Sequence, residues 1–274
     1  AGTLSAGTLS AGTLSAGTLS AGTLSAVTLS GMLLLAIITQ SESASAAEDA
    51  VKSEQQAKPS AQGDFVPLFN GTDIDDWIKR GGNATYHVKG NSIVGTSVLN
   101  TENTFLCTPR NYSDFVLRLQ LKVDDGLNSG IQIRSEVNDE LKEIEVRNSK
   151  DKLVQKKIPA GRVFGYQVEI DPSDRAYSGG IYDEARRGWL NDLSGDENKA
   201  AREAFKRGEW NKYRIRAVGG RIKTWVNGVP AADLEDDMTA AGFIALQVHG
   251  IGGKQELAGT QVRWRNLMIK EIKK

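Results

Sequence analysis

Cysteine and histidine are almost absent from this sequence, and their scarcity excludes several kinds of site. Cys107 is the only cysteine among 274 residues, so the chain forms no intrachain disulfide and no cysteine-based zinc site. Histidine occurs only twice. A serine nucleophile elbow, a phosphate-binding P-loop and a dinucleotide fingerprint are all missing. These absences exclude the common serine-hydrolase, nucleotide and dinucleotide sites.

An excess of either charge is also absent, which argues against a nucleic-acid partner. The chain has 34 basic and 34 acidic residues and a net charge of zero. The first 50 residues contain no basic residue and three acids, so the remainder carries 34 basic against 31 acidic residues. That surplus is too small for an electrostatic nucleic-acid footprint, and no basic run with interleaved aromatic residues is present.

Composition shifts divide the chain into a low-complexity start and a foldable remainder. Residues 1–31 hold repeats of AGTLS, a period that fits no solenoid. Residues 32–47 contain the apolar run Leu33–Ile38 and then small residues, which is typical of a signal peptide, although its usual positive start is missing. The run is too short for stable membrane insertion. We therefore expect an exported protein, periplasmic or extracellular (secreted), with a polar linker at 48–63 and one domain at 64–274.

From residue 64 onward, short strand candidates alternate with turn signals. Residues Asp114–Val123 alternate most clearly, with apolar residues on one face and mostly polar residues on the other. About a dozen such segments predict an all-β fold, and their alternation favours antiparallel pairing. We expect an excursion or a long loop over 136–160 and one short helix over 197–207. The predicted fold class is therefore an antiparallel two-sheet sandwich or jelly roll with at most one or two short helices.

The strand candidate Gly165–Asp171 carries an unusual polar face. Gln167, Glu169 and Asp171 alternate with apolar residues, which places two carboxylates on one side, about 7 Å apart. In an enclosed site this spacing raises the pKa of at least one carboxyl and suits acid/base chemistry or cation binding. A solvated sheet face would show the same pattern, so this strand alone does not decide between the two interpretations.

Two other strand candidates repeat the pattern. Gln132 and Arg134 share one face of the first, and Gln247 and His249 share one face of the second. If the three strands are neighbours, they form one patch that consists of Arg134, Glu169, Asp171, Gln247 and His249. An arginine, two carboxylates and a histidine can supply acid/base chemistry and bind an oxyanion. A single histidine at a strand end is often structural, so the patch depends on the strand order.

A divalent metal and a stacked sugar are both compatible with these residues. Glu169, Asp171 and His249 supply oxygen and imidazole donors, although no compact ligand motif is present. Tyr182 and Trp189 can stack on sugar rings, and packing in the core or at a sheet edge is their alternative role.

Several ordered segments over residues 65–273 resemble the 3-keto-disaccharide hydrolase domain, a bacterial family with a concanavalin A-like, laminarinase-like jelly roll. The segments are FVPLFNGTDIDDW (65–77), DFVLRLQLKV (114–123), NSGIQIR (128–134), GYQVEID (165–171), SGGIYD (178–183), GEWNKYRIRAVGGRIKTWVNG (208–228), GFIALQVHG (242–250) and VRWRNLMIKEI (262–272). Each is weak alone, and their order is specific. Thr224 departs from the pattern, because members often have histidine there, so no ligand role is expected at this position.

The resemblance implies carbohydrate metabolism by a glycosidase that acts on glycosides oxidised to a ketone at C3. The ketone acidifies the C2 hydrogen, so a base removes it, the C1 substituent leaves by elimination, and water adds back. Glu169 or His249 is then the base or acid, and Asp171 adjusts the pKa of its partner. The expected substrate-binding residues are Arg134, Gln132, Gln167, Gln247, Tyr182 and Trp189. The expected partner is an oxidised glucoside or disaccharide, and a divalent metal is the only candidate cofactor.

Two other functions fit the same fold. A laminarinase-like endo-glucanase needs two carboxylates about 5–5.5 Å apart for retention. The sequence argues against this function, because Glu169 and Asp171 are not followed by a third carboxylate two residues further on, where Ser173 stands. A non-catalytic carbohydrate-binding module is the second alternative, since sandwiches of this kind host both enzymes and lectins.

Overall fold

The computed structural model describes residues 64–148 and 150–273 of the chain. The expected low-complexity repeats (1–31), signal peptide (32–47) and linker (48–63) lie outside the described residues. Within the described part, no helix is long and apolar enough to cross a membrane.

Strands dominate the described residues, as the alternation predicts. The strands are β1 (Val66–Pro67), β2 (Ile78–Gly81), β3 (Thr85–Lys89), β4 (Ser92–Thr96), β5 (Thr104–Cys107), β6 (Phe115–Val123), β7 (Ser129–Val137), β8 (Lys142–Arg147), β9 (Leu153–Ile158), β10 (Val163–Ile170), β11 (Ile181–Glu184), β12 (Gly188–Asn191), β13 (Asn211–Val218), β14 (Arg221–Val226), β15 (Val229–Glu235), β16 (Phe243–Val248) and β17 (Gln261–Glu271). One short helix, α1 (Lys199–Ala204), lies inside the predicted 197–207 segment, and 3₁₀ turns occupy Asp196–Asn198 and Gln255–Leu257.

Two antiparallel sheets form the domain, so the predicted sandwich is confirmed. The eight-stranded sheet has the order β15-β14-β13-β6-β17-β4-β3, with β1 paired to β17. The seven-stranded sheet has the order β12-β11-β10-β7-β16-β5-β2. In this order β10, β7 and β16 are adjacent, and these are the three strands whose polar faces the sequence singles out.

The core lies between the two sheets and takes one face of each strand. On β6, Phe115, Leu117 and Leu121 are fully buried, whereas Arg118 on the opposite face is exposed. On β10, Val168 and Ile170 are fully buried in the same core. Each such side chain contributes about 1.5–3 kcal/mol when it leaves water. Because the apolar face of β10 is held in the core, its polar face must point outward from the sandwich.

The charged segment 136–160 forms a hairpin, so of the two alternatives the excursion is right and the long loop is wrong. Strands β8 and β9 pair antiparallel, and Lys157 forms an ion pair with Glu143 at 2.8 Å. Alternation is hard to see in the sequence because most residues of both strands are exposed and only Val146 and Ile158 are buried. The hairpin connects β7 to β10, next to the ladder pair Val137–Val163.

Candidate functional site

The outer face of the seven-stranded sheet carries a polar cavity of about 400 Å³. Its lining residues are Asn103, Asn128, Arg162, Gln167, Glu169, Arg175, Tyr182, Glu184, Trp189 and His249. Five residues predicted from the sequence are therefore in its wall: Gln167, Glu169, Tyr182, Trp189 and His249. The strand register brings these side chains together, because Gln167 on β10 lies opposite Tyr182 on β11 and opposite Gln132 on β7.

A chain of buried amides leads through the sheet face to Glu169. Gln132 and Gln247 each donate from Nε2 to Oε1 of Gln167 at 2.7 Å. Gln167 in turn donates from Nε2 to Oε2 of Glu169 at 2.8 Å. Ser135 closes the other end, since its hydroxyl donates to Oε1 of Gln132 at 2.9 Å. Every one of these amides therefore has a defined orientation, and the series of hydrogen bonds ends at the carboxylate of Glu169.

Glycine at position 130 makes room for this chain. Gly130 on β7 lies opposite Glu169 on one side and Gln247 on the other. A Cβ atom on Gly130 would come within 2.4 Å of Cδ of Gln167, which is less than a real contact allows. Any larger residue at this position would displace the Gln167 amide from both of its donors.

Glu169 has the environment of an acid/base group. Its side chain is buried, and burial raises the pKa of Glu169 to about 7. Hydrogen bonds from Asn128 and Gln167 favour the charged form, but they only partly offset the effect of burial. Oε1 accepts from Nδ2 of Asn128 at 2.7 Å and from Arg175 at 3.3 Å. A carboxyl that titrates near neutral pH can take up and release a proton under physiological conditions.

Arg175 connects Glu169 to an aromatic wall, and the sequence reasoning missed it. Its guanidinium carbon lies 5.1 Å from the ring centres of both Tyr177 and Trp189. Trp189 packs edge-on against Tyr177 and Tyr182, each at 5.3 Å. The cation therefore lies against two aromatic rings and beside a carboxylate, and it lines the cavity. Arg175 lies in a loop without periodicity, so no pattern indicates its position.

Asp171 organises the loop that holds Arg175 and does not line the cavity. Strand β10 ends at Ile170, so the alternation that places Asp171 beside Glu169 stops one residue too early. Its Oδ1 accepts from N and Oγ of Ser173, and its Oδ2 accepts from Nε of Arg175 at 2.7 Å and from N of Tyr177. Burial alone would raise the pKa of Asp171, but these bonds outweigh it and hold the pKa below its usual range.

Replacing Asp171 with alanine is expected to destabilise the domain by about 2–3 kcal/mol, because several donors to a buried carboxylate lose their acceptor. Chemical denaturation with two probes measures the change. Asp174→Ala is the matched control, since Asp174 is fully exposed and pairs only with Arg207 at the surface; a change within about 0.5 kcal/mol is expected there. Lost activity with unchanged stability in Asp171→Ala would contradict the organising role.

His249 lies at the cavity wall in its neutral form. Burial lowers the pKa of His249, which keeps the ring uncharged near neutral pH. Its Nδ1 lies 2.8 Å from the carbonyl oxygen of Gly250. Because a carbonyl oxygen only accepts, Nδ1 carries the proton and Nε2 keeps its lone pair. His249 can therefore accept a proton from a hydroxyl or a water.

Arg134 lies outside the cavity, so its expected place in the patch is wrong. Its guanidinium donates to the carbonyl oxygens of Ser113 and Gly219, each at 2.7 Å, and to Asp114 at 3.0 Å. Strand β7 changes register against both neighbours near this residue, and Arg134 has a left-handed φ of 45°. The irregularity turns the side chain away from the face that carries Gln132.

Glu184 is a second carboxyl in the cavity, and the sequence reasoning also missed it. Burial raises the pKa of Glu184, and Arg162 opposes that shift through an ion pair. Glu184 and Tyr182 share one face of β11, a short strand that mixes polar and apolar residues on both faces. Because Glu184 pairs with Gly165, its Cα lies about 13 Å along the sheet from that of Glu169.

A larger cavity of about 1,090 Å³ lies beside the first and shares two wall residues with it. Asn103 and Arg162 line both, and the other lining residues of the larger cavity include Gly81, Gly82 and Gly161. Arg162 also pairs with Glu102 at 3.5 Å. A ligand that fills the smaller cavity can therefore extend past Arg162 into the larger one.

Metal donors do not converge in this site. Across residues 64–148 and 150–273, no three histidine, cysteine, aspartate or glutamate side chains form a metal-binding group. The oxygens of Asp171 are taken by loop donors, and His249 is held by a carbonyl. The set of Glu169, Asp171 and His249 considered from the sequence therefore does not fit a metal ion. Thr224 is also structural, because its hydroxyl donates to the carbonyl oxygen of Gly179 and accepts from N of Ala232.

Several solved structures are similar to this chain at low sequence identity. A protein of unknown function with a galectin-like fold from Bacillus subtilis is 11% identical with a TM-score of 0.52, over 77% of this chain and 97% of that chain. A candidate glycosyl hydrolase from Parabacteroides distasonis is 18% identical with a TM-score of 0.49, over 76% and 94%. The carbohydrate-binding module CBM66 from Bacillus subtilis is 14% identical with a TM-score of 0.40, over 74% and 98%.

The sequence comparison identifies the family to which the chain belongs. No curated protein matches the chain. The sequence profile described as the 3-keto-alpha-glucoside-1,2-lyase-like domain matches residues 64–270, which is nearly all of the described sandwich and includes every residue of the cavity wall. The chain therefore belongs to the family of 3-keto-alpha-glucoside-1,2-lyase-like domains.

Proposed function

We propose that the chain cleaves 3-keto-glycosides by eliminating the C1 substituent, with Glu169 as the base, and that water addition completes a hydrolysis. The observation that carries the proposal is the buried carboxyl of Glu169, whose pKa of about 7 suits it to take up and then release one proton in a polar, sugar-sized cavity. Membership of a carbohydrate-active family supports a sugar ligand.

In the proposed reaction the single carboxyl of Glu169 takes up one proton and returns it. Glu169 takes the proton from C2, and the electrons of that C–H bond form the enolate of the C3 ketone. The enolate then returns to the ketone, which forms the C1–C2 double bond while the C1–O bond breaks. The proton then leaves with the departing alcohol, which regenerates the carboxylate. Water adds its hydroxyl to C1 and its proton to C2, so that the net change is hydrolysis. The neutral ring of His249 is suited to accept a proton from that water.

Arg175 is the group that we assign to the enolate oxygen. Its guanidinium reaches Glu169 at 3.3 Å and is oriented by Asp171, Tyr177 and Trp189. Negative charge that develops on the C3 oxygen would meet a cation already in position, which lowers the barrier without further reorganisation. Tyr182 and Trp189 would pack against the sugar ring, and the leaving group would extend towards Arg162.

A conventional glycosidase is less consistent with this geometry. The two cavity carboxyls, Glu169 and Glu184, lie about 13 Å apart along the strands at their Cα atoms, whereas retention needs carboxyl groups about 5–5.5 Å apart. Glu184 is also engaged by Arg162.

Turnover of matched substrates tests the proposal. The full chain should cleave a 3-keto-glucoside or 3-keto-disaccharide and release 3-keto-glucose, while the unoxidised glucoside and a β-glucan stay intact. The expected preference exceeds about 100-fold, because only the ketone acidifies C2. A chelator should leave the rate unchanged. Cleavage of the unoxidised β-glucan would favour the endo-glucanase, and binding without turnover of any 3-keto substrate would favour a carbohydrate-binding module.

A further inference from the structure

The outer face of the eight-stranded sheet is strongly basic, although the chain as a whole is neutral. Four adjacent or nearby strands, β6, β13, β14 and β17, contain a single acid, Glu271. Their outward-facing basic residues are Arg118, Lys122, Lys212, Arg214, Arg216, Arg221, Lys223, Arg263, Arg265 and Lys270. We call this surface the basic face. It lies on the opposite side of the sandwich from the cavity around Glu169.

Like charges meet directly across the strands of the basic face. Arg118 on β6 is the ladder partner of Arg214 on β13, and Arg216 on β13 is the partner of Lys223 on β14. Lys122 on β6 likewise faces Arg263 on β17. Directly opposed like charges destabilise a sheet. Asp233 and Asp124 partly compensate for two of these pairs through Lys223 and Arg263, whereas Arg118 and Arg214 face each other without a carboxylate partner among the described residues.

Counter-ions are few on this surface. Asp233 pairs with Arg221 and Lys223, and Asp124 pairs with Arg263. Within the described ranges, no carboxylate forms a salt bridge with the five remaining central residues, which are Arg118, Lys122, Lys212, Arg214 and Arg216. Their charge is therefore available to a ligand.

Aromatic rings hold three arginines in place on the basic face. The guanidinium carbon of Arg214 lies 4.5 Å from the ring centre of Trp225, and that of Arg265 lies 3.9 Å from Trp210. Arg118 lies 4.1 Å from the ring of Phe65. Stacking restricts the side chain without neutralising it, and a stacked guanidinium can still donate from its edge to an anion. Arg265 uses its Nε to donate to Oε1 of Gln120 at 2.8 Å.

A groove of about 430 Å³ crosses the centre of this face. Its walls include Arg118, Lys212 and Arg214, and Trp225 lies among them. A cavity of this size admits a sugar-sized group. Carboxylate or sulfate groups spaced along a polymer would meet cations about 7 Å apart along each strand and about 5 Å apart between strands.

We propose that the basic face binds an acidic polysaccharide, a glycan chain that carries carboxylate or sulfate groups, and so holds the domain on its polymer. Charge complementarity and the aromatic groove carry the proposal, and membership of a carbohydrate-active family supports a glycan as the polyanion. It does not depend on the proposed reaction, because the face shares no residue with the cavity around Glu169.

Two other polyanions fit the face less well. An anionic membrane surface usually also engages apolar side chains, and none of the exposed large hydrophobic residues of the described part lies on β6, β13, β14 or β17. Sequence-specific reading of duplex DNA requires an element that enters a groove, and the basic face is the flat surface of a sheet.

Affinity of the full chain for polygalacturonate tests the proposal, with dextran as the uncharged glycan. We expect binding that weakens at least about tenfold between low and moderate salt, and no binding to dextran. Arg118→Gln/Arg214→Gln should reduce the affinity at least about tenfold. Lys212→Gln/Arg216→Gln, which leaves the stacked arginines intact, should reduce it as well and covers the case in which the first variant folds poorly.

Lys152→Gln/Lys156→Gln is the matched control, because it removes the same charge from exposed positions on the β8–β9 hairpin. Its affinity should equal that of the parent chain. All three variants should retain the parent's turnover of a small 3-keto-glucoside. Equal loss of affinity in the control, unchanged affinity in both basic-face variants, or tighter binding to duplex DNA or to phosphatidylglycerol vesicles than to polygalacturonate would overturn the proposal.

Discussion

Replacing Glu169 with glutamine is expected to lower kcat/KM for a 3-keto-glucoside by about 100- to 10,000-fold, the range for loss of a general base. The amide cannot accept the C2 proton, and no other carboxylate of the cavity is close, because Glu184 lies about 13 Å along the sheet. Steady-state kinetics at pH 8, where the Glu169 carboxyl of the parent chain is mostly ionised, measure the difference.

The buried amides can accommodate this substitution. A glutamine at position 169 would direct its NH₂ group at Gln167 unless the Gln167 amide turns over. Gln132 can follow that reversal, because the hydroxyl of Ser135 either donates or accepts. Gln247 can follow it too, since its Oε1 has no hydrogen-bond partner among the described residues. We therefore expect Glu169→Gln to remain folded.

Glu271→Gln is the control for Glu169→Gln. It makes the same chemical change on β17, where Glu271 forms a surface ion pair with Arg110 at 2.6 Å. Its kcat/KM and thermal midpoint should both match those of the parent chain. Full activity of Glu169→Gln with an unchanged thermal midpoint would show that Glu169 is not the base, and His249 in the same cavity wall would then be the next residue to test.

Residue alternation was enough to predict the sandwich and the polar faces of three strands, but not that these strands are neighbours. Strand β6 shows why, because its buried and exposed residues follow the period of two over nearly its whole length. The same rule assigned Gln132, Gln167, Glu169 and Gln247 to the polar faces of their strands. It holds there because β7, β10 and β16 pair in regular register at those positions. Their identification as one network then depended only on strand order, which the structure supplies.

Local irregularities account for the errors. Arg134 lies at a bulge, and a Cβ on Gly242 of the neighbouring chain segment would come within 2.4 Å of its carbonyl carbon. No period-two pattern anticipates that close approach. Asp171 lies one residue beyond the end of its strand, and Arg175 lies in a loop. Asp171 and Arg175 shape the site through hydrogen bonds within and next to this loop, and strand periodicity carries no information about loop hydrogen bonds.

The kcat/KM of the parent chain is expected to rise with pH and to level off above the pKa of Glu169, which is about 7. The rate constant rises with pH because Glu169 acts as a base only in its ionised form. Burial raises the pKa above which that form predominates. Below this pKa the rate constant should fall about tenfold per pH unit. A profile that falls through pH 7 as pH rises would contradict the assignment of Glu169 as the base.

Replacing Gln167 with leucine should move that profile to higher pH and lower its plateau by about 10- to 100-fold. The substitution removes the hydrogen bond from Nε2 of Gln167 to Oε2 of Glu169, which favours the charged carboxylate, so the pKa of Glu169 rises further. It also frees the carboxylate to rotate, and a hydrogen bond to a charged group contributes about 1.5–3 kcal/mol.

A shift of the pH midpoint distinguishes positioning by Gln167 from a merely structural role. Partial unfolding would lower activity at every pH and leave the midpoint in place. Gln155→Leu is the matched control, because Gln155 makes the same kind of bond at the surface, from Nε2 to Glu145 at 2.8 Å, and its loss should change neither the midpoint nor the plateau. An unmoved midpoint in Gln167→Leu would show that the amide chain does not set the proton affinity of Glu169, and the base would then have to be sought elsewhere in the cavity, with the neutral ring of His249 as the next candidate.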